Sequence, residues 1–367
     1  MQIVLLIILF LYVLLIVNYA IGWKQNAKST GVDFYPKVSV IIAMRNEETE
    51  ILRLLSELKK QIYPTDKLEF ILVNDHSTDA TLALLEQEKM DNLQIVNMIP
   101  GEFGKKNAIA KAVQLAKGEI ILASDADCSF TPYWVKTMAS YFADENVKLV
   151  SGPVSYHKQK GVFQSLQTLE FVSLIASGAG AIGVANPIFC NGANMAYRTA
   201  TFIELNNFEN DTAASGDDVF LLHSIKAKYT KSIAFANDSN ATVLTDAVPT
   251  MKGFINQRKR WTAKSSGYKD RASIYASFLV LFVNLALVFL FVMHFLSADY
   301  FKLFILFYSI KSLVDVVLLY PALTFFNRKD LLKWIFPFEI FYSFYIVLIV
   351  VLSFTNTFEW KGRIHNK

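Results

Sequence analysis

The sequence predicts an α/β domain with a mostly parallel sheet, carried between α-helical transmembrane segments. Three observations lead there. Through the middle of the chain, apolar runs that end in acid-bearing polar loops alternate with segments of helical periodicity. Long apolar stretches occupy the N-terminus and much of the last third. The 367 residues are 53% hydrophobic with a mean hydropathy of +0.33, too apolar for an ordinary soluble domain.

The apolar excess is uneven. Residues 1–21 contain no charged side chain, and Ile274–Ser297 contains only His294 as a possible charge. Two further stretches cover Tyr300–Phe326 and Trp334–Phe354. Each suffices to cross a hydrocarbon core of about 30 Å as a helix. The expected organisation is an anchor at 1–22 and a polar domain at 33–271, followed by C-terminal helices at 272–356 and a basic tail at 357–367. A cleaved signal peptide is the competing reading of the first segment. Against it stand the missing positive n-region, the length of the apolar run and the lack of a small-residue cleavage site. Lys24 and Lys28 follow the anchor closely, which places the polar domain in the cytoplasm and the chain in the cytoplasmic membrane as a multi-pass protein.

The net charge of +4 is modest, and no dense basic-aromatic patch argues for nucleic acid, so the surplus reads as membrane-facing Lys and Arg. Cys128 and Cys190 are the only cysteines, which implies no disulfide framework and fits a reducing compartment.

Within the polar domain, VSVIIAM after Lys37 reads as a buried strand running into Arg45-Asn46-Glu47-Glu48. Ile51, Leu52, Leu54, Leu55 and Leu58 then recur at helical spacing. A second strand starting at Phe70 ends at the loop Asn74–Asp79, a helix follows over Ala80–Lys89, and Leu93–Asn97 makes a third strand. Residues 104–117 form another helix, closed by Gly118, and Glu119–Ala123 leads into Ser124-Asp125-Ala126-Asp127. In such sheets ligands bind at the carboxyl ends of strands, and Glu47, Asp75, Asp125 and Asp127 all follow predicted strand ends. Phe163–Ile188 is apolar but carries Gln164, Gln167 and Glu170 in its first turns, so a buried or interfacial helix is expected rather than a span.

Asp125 and Asp127, two carboxylates at i and i+2 on a strand end, suit a hard cation such as Mg²⁺ or Mn²⁺ that completes its shell with substrate phosphates. The bland alternative is a capping turn before a helix near Thr131-Pro132. Asp75 suits ribose hydroxyls or a base N–H, while Ser77 and Asp79 are explained as helix caps. Lys105 and Lys106 open a helix, where cations oppose the dipole, so a nearby anion such as a diphosphate, or plain surface charge, accounts for them. Of Asp217 and Asp218, one suits a general base and the other an N-cap. Gln257, Arg260 and Trp261 share one helical face, where Trp can stack on a ring and Arg can hold phosphate; an interfacial anchor belt is the alternative.

Taken in order, VSVIIAMRNEE, VNDHSTD, GKKNAI, SDAD, FCNGAN, SGDD and QRKRW resemble the motifs of the membrane-bound family 2 glycosyltransferases. That group contains cellulose, chitin and hyaluronan synthases and ceramide glucosyltransferase. The resemblance runs from Pro36 to Trp261 and implies a GT-A fold, a UDP-sugar donor, a divalent cation and inversion at the anomeric carbon. Carried over by position, it implies that Glu47 and Asp75 hold the uridine and Lys105 the diphosphate. Asp125 and Asp127 would serve donor and metal, with Asp127 the better ligand. Asp218 would be the catalytic base, with Asp217 left as a cap, and Gln257, Arg260 and Trp261 would support the leaving diphosphate and the acceptor. Phe189, Cys190, Asn191 and Gly192 would form the acceptor loop, where Cys190 packs rather than attacks.

Processive members thread polymer through more helices and some carry a gating loop, for which Thr262–Arg271 is too short. The expected acceptor is therefore a membrane lipid or lipid-linked saccharide, with a processive polysaccharide synthase as the alternative and a non-catalytic transporter or scaffold subunit as a remote one. Lys311 and Asp315 lie four residues apart in one apolar stretch and Glu339 lies in the next; ionisable groups there are functional candidates, although the first two can neutralise each other. Four spans with the domain inside would put Lys361, Arg363 and Lys367 outside, against their charge, so either a C-terminal segment is re-entrant or the tail is an exception.

Overall fold

The computed structural model describes residues 1–28, 33–205, 217–265, 267–353, 357–360 and 363–366. Gly216, the side chain of Asp217 and the side chains of the tail lie outside the described residues. In chain order the elements begin with α1 (Gln2–Gln25), β1 (Val38–Met44), α2 (Ile51–Lys59), β2 (Leu68–Asn74), α3 (Thr81–Glu86), β3 (Leu93–Asn97), α4 (Lys105–Leu115) and β4 (Ile120–Asp125). Next come β5 (Ser129–Phe130), α5 (Trp134–Ser140), β6 (Leu149–Ser151), β7 (Val154–Tyr156), α6 (Val162–Gly183), β8 (Asn194–Arg198), α7 (Thr199–Leu205) and α8 (Asp217–Lys228). The last are β9 (Ile233–Phe235), β10 (Val243–Thr245), α9 (Met251–Ser265), α10 (Arg271–Met293), α11 (Ala298–Phe325), α12 (Leu332–Ser353), β11 (Thr357–Trp360) and β12 (Arg363–Asn366).

These elements form two compact units. An α/β unit comprises Asn26–His157 and Phe189–Asp246, and a helical unit comprises Met1–Gln25, Lys158–Ile188 and Ala247–Lys367. The polar stretch expected as one domain over 33–271 is thus shared between them, with α6 and α9 in the helical unit.

The main sheet of the α/β unit runs β3-β2-β1-β4-β8-β6-β9. Its first four strands are parallel, as the alternation of strands and helices requires, and β8 reverses direction beside β4. Ile41, Ile42, Ile71, Leu72, Val73 and Ile121 are fully buried, which explains why these strands read as unbroken apolar runs. Register sets the functional edge: Met44 pairs with Asn74, Ala43 with Asp125, and Asn74 with Asn97. The loops after β1, β2 and β4 therefore leave the sheet level with one another. Gly118 permits the crossover into β4, since a Cβ there would sit 2.4 Å from the Ser39 nitrogen. A three-stranded sheet, β5-β10-β7, completes the unit.

In the helical unit, α1, α6, α10, α11 and the segment containing α12 are each long and apolar enough to cross a membrane. Four were expected. The fifth is α6, expected as a buried or interfacial helix; its Gln167 and Glu170 are 1% and 5% exposed, in keeping with the buried reading, although its length and composition would also suffice for a span. Gln167 exchanges hydrogen bonds with the backbone of Val248, donating at 2.9 Å and accepting at 3.2 Å. Small residues let α1 and α6 approach closely, since a Cβ at Gly180 would lie 2.3 Å from the Tyr19 carbonyl oxygen. The ionisable groups flagged in the apolar stretches meet inside this unit. Lys311, 1% exposed, donates to Asp315 at 3.0 Å and to Glu339, while the Tyr12 hydroxyl donates to Asp315 at 2.7 Å. The expected Lys311–Asp315 pair is present, but it is part of a larger cluster that joins α1, α11 and α12.

Candidate active site

The β1 and β2 loops are laced together at the sheet edge. Main-chain N–H groups of Asn46, Glu47 and Glu48 donate to Ser77 Oγ (3.0 Å), Thr81 Oγ1 (2.8 Å) and Asp79 Oδ2 (3.1 Å). In return Asn46 Oδ1 accepts from the Thr78 amide at 2.8 Å and Glu48 Oε2 from that of Ala80 at 3.0 Å. Ser77 and Asp79, expected as caps, thus work mainly across loops, with Asp79 Oδ1 also accepting from the Thr81 amide at 3.1 Å. Burial works to raise the Asp79 carboxyl, but the hydrogen bonds from Thr81 and Glu48 outweigh it and hold the group below the usual carboxylate range. Its contribution is present above the unfolded-state value and is lost as pH falls through the folded one, so the lacing loosens in acid.

Asp75 sits within this frame, 2% exposed. Its Oδ2 accepts from the Gly104 amide at 3.0 Å and its Oδ1 lies 3.0 Å from His76 Nδ1. Arg45 Nη1 donates to the carbonyls of Asp75 and His76, both at 3.0 Å. Gly104 has φ +94°, a backbone that only glycine adopts freely, so its amide can turn toward Asp75 as α4 begins. Lys105, the next residue, forms an ion pair with Asp125 at the end of β4. Asp75, Lys105 and Asp125 are therefore gathered at one edge, the two acids at strand ends and the lysine at the start of α4, the positions the sequence implied for them. Glu47 is half-buried in the adjoining loop, which its main chain helps to close.

Asp127 is exposed, two residues beyond the strand end. Its loop is held by one face of α2 and the turn that follows. Arg53 donates to the Asp127 carbonyl at 3.1 Å and to Ser129 Oγ, Glu57 accepts from the Phe130 amide at 2.8 Å, and Gln61 donates to the Thr131 carbonyl at 2.9 Å. Sequence reasoning missed this support because Arg53 lies 74 residues from the carbonyl it holds. Burial first, then the charges of Asp127 and Asp125, push the Cys128 thiol well above its ordinary range, so it stays a protonated packing group.

Across the sheet edge, α8 presents Asp218. Its Oδ2 accepts from the Gly192 amide at 3.0 Å and its Oδ1 from the Val219 amide at 2.9 Å. The two bonds fix the plane of the carboxylate and leave each oxygen a second lone pair. The loop bearing Phe189, Cys190, Asn191 and Gly192 thus lies directly against Asp218. Cys190 is 1% exposed and donates to the Asp218 carbonyl at 3.3 Å, the packing role expected of it. The fit is close at Gly192, where a Cβ would come within 3.3 Å of the Asp218 carboxylate.

Gln257, Arg260 and Trp261 lie on α9 at the expected helical spacing, and they belong to the helical unit. Arg258, read only as part of a basic run, is in fact 3% exposed and paired with Glu170. An ionisable residue in the apolar α6 was the available signal.

Among the described residues no three His, Cys, Asp or Glu side chains form a ready-made cage for an ion. The donors nevertheless fit Mg²⁺ or Mn²⁺, because such ions take one or two carboxylates and fill the remaining positions with water and substrate phosphate. Asp127 is exposed just past the strand end, and Asp125 is half-buried and paired with Lys105.

Comparison with known proteins agrees with this fold. Residues 39–205 match the family model described as Glycosyl transferase family 2. The probable glycosyltransferase YdaM of Bacillus subtilis is 36% identical over 109 residues, 29% of this chain and 25% of that protein. The beta-monoglucosyldiacylglycerol synthase of Synechocystis is 32% identical over 112 residues, 30% of this chain and 23% of that protein. The chain thus spans about a quarter of the length of either relative. Among solved structures, the mannosyltransferase PcManGT from Pyrobaculum calidifontis, in complex with GDP-Man and Mn²⁺, superposes with a TM-score of 0.60 at 19% identity, over 96% of this chain and 98% of that one. The fold is accordingly GT-A-like, and residues 39–205 are similar to the family 2 glycosyltransferase domain.

Proposed function

We propose that the chain transfers a sugar, with inversion, from a UDP-sugar to a membrane-lipid or lipid-linked saccharide acceptor at the cytoplasmic face of the membrane. The observation that carries this is the gathering of Asp75, Lys105, Asp125 and Asp127 at the carboxyl edge of adjacent parallel strands. Five helices of spanning length among the described residues support the membrane setting, and the relative named for a glucosyl-diacylglycerol product fits a lipid acceptor.

In this proposal Asp75 and Glu47 hold the nucleoside, and Lys105 exchanges part of its Asp125 contact for the diphosphate. Asp127, with Asp125, would hold a divalent cation, which when bound supplies countercharge to the departing nucleotide. The Mn²⁺ in the complex of the fold neighbour is in keeping with that role. Asp218 takes the proton from the acceptor hydroxyl on a free lone pair as the oxygen attacks the anomeric carbon from the face opposite the leaving group. One base is enough for a single displacement, so no second nucleophilic carboxylate is required. Phe189, Asn191 and Gly192 border the acceptor, and Gln257, Arg260 and Trp261 support acceptor and leaving diphosphate.

Calorimetric titration of UDP in the presence of Mn²⁺ tests the donor half. Asp75→Ala removes a charged acceptor and releases Gly104, and is expected to weaken UDP binding about 10- to 100-fold. Unchanged affinity would refute the assignment.

A further inference from the structure

We infer that Glu170, Arg258 and Tyr345 form a buried positioning group for the motif Gln257, Arg260 and Trp261, an inference that rests on the roles proposed above for those three. The guanidinium of Arg258 is 3% exposed and the carboxylate of Glu170 is 5% exposed. Arg258 Nε donates to both Glu170 oxygens at 2.9 Å, and Nη2 donates to Oε2. The Tyr345 hydroxyl donates to Oε1 at 2.9 Å. The carboxylate on α6 is thus engaged from α9 and from α12 together.

The opposite edge of the guanidinium faces the motif. Arg258 Nη1 donates to Gln257 Oε1. The guanidinium carbon lies 4.2 Å from the Trp261 ring centroid and 4.5 Å from that of Phe254. One side chain therefore grips two of the three motif residues, and Phe171, at 6.0 Å from the Trp261 ring, bounds the indole from α6. An ion pair is a poor choice if bulk stability is the only need, because well-packed apolar residues serve as well. What they cannot supply is a fixed planar fork that orients an amide and an indole at once. None of the three residues needs to touch substrate; they set the rotation of the α9 face that does.

Two conservative changes test this. Tyr345→Phe removes one hydrogen bond, and Arg258→Lys keeps the charge but loses the fork. The full chain in membrane vesicles is supplied with radiolabelled UDP-glucose, UDP-N-acetylglucosamine and GDP-mannose, and UDP affinity is measured on the solubilised full chain. Both variants are expected to lose about tenfold or more in kcat, because a small misplacement of positioning groups is costly, while the Kd for UDP stays within about twofold. A folded Tyr345→Phe protein with unchanged kcat overturns the inference, as does a kcat loss accounted for by the fraction of protein unfolded. Absence of turnover by the unmodified chain with all three donors overturns the transferase proposal itself, and the inference with it.

Discussion

Asp218→Asn is expected to lower kcat about 10³-fold while leaving UDP affinity unchanged. Asparagine matches the shape of the carboxylate, and its carbonyl oxygen can still accept from Gly192 or Val219, so the loop and the start of α8 keep their packing. What disappears is the lone pair able to take a proton from the acceptor hydroxyl. General bases contribute roughly 10²- to 10⁴-fold, and 10³ corresponds to about 4 kcal/mol of barrier. Single-turnover transfer measured beside UDP titration separates the two halves of the expectation. Wild-type turnover in Asp218→Asn would remove Asp218 from the chemistry and move the base elsewhere on the sheet edge.

Lys311→Met is expected to cost about 3–5 kcal/mol of stability, the usual price of removing one partner from a buried ion pair. Asp315 and Glu339 both receive hydrogen bonds from Lys311 and would be left facing one another without a cation. Tyr12 could satisfy only one oxygen of Asp315. The triple change Lys311→Met, Asp315→Asn, Glu339→Gln removes the charges together and should recover most of the loss, since neutral replacement of a buried cluster is often harmless. Thermal unfolding of the detergent-solubilised chain reads both. A Lys311→Met protein with unaltered Tm would show that the cluster contributes little to holding α1, α11 and α12 together.

The α/β unit was legible because its chemistry follows its hydrophobic pattern. The runs at Val38–Met44, Leu68–Asn74 and Ile120–Asp125 are buried on both faces, so they could only be central strands, and the acids that follow them could only lie at one edge. The supporting contacts were not legible. Arg53 and Arg258 meet partners 74 and 88 residues away, and no local periodicity encodes such pairings. Gln167 and Glu170 pointed to a buried or interfacial helix, and each does find its partner inside the helical unit, but which partners these are was not encoded locally. Lys311 was foreseen with Asp315 because those two share a helix, whereas Glu339 and Tyr12 reach the cluster only through tertiary packing.

Sugar transfer itself is tested most directly by product analysis. Vesicles containing the full chain are incubated with labelled UDP-glucose, UDP-N-acetylglucosamine or GDP-mannose, with Mg²⁺ or Mn²⁺ or with a chelator, and lipid-extractable and polymeric products are separated. Label from a UDP-sugar should enter a lipid-extractable product only when divalent cation is present, with one UDP released per sugar transferred. No label in either fraction above the level of Asp218→Asn vesicles would contradict the proposed transferase activity.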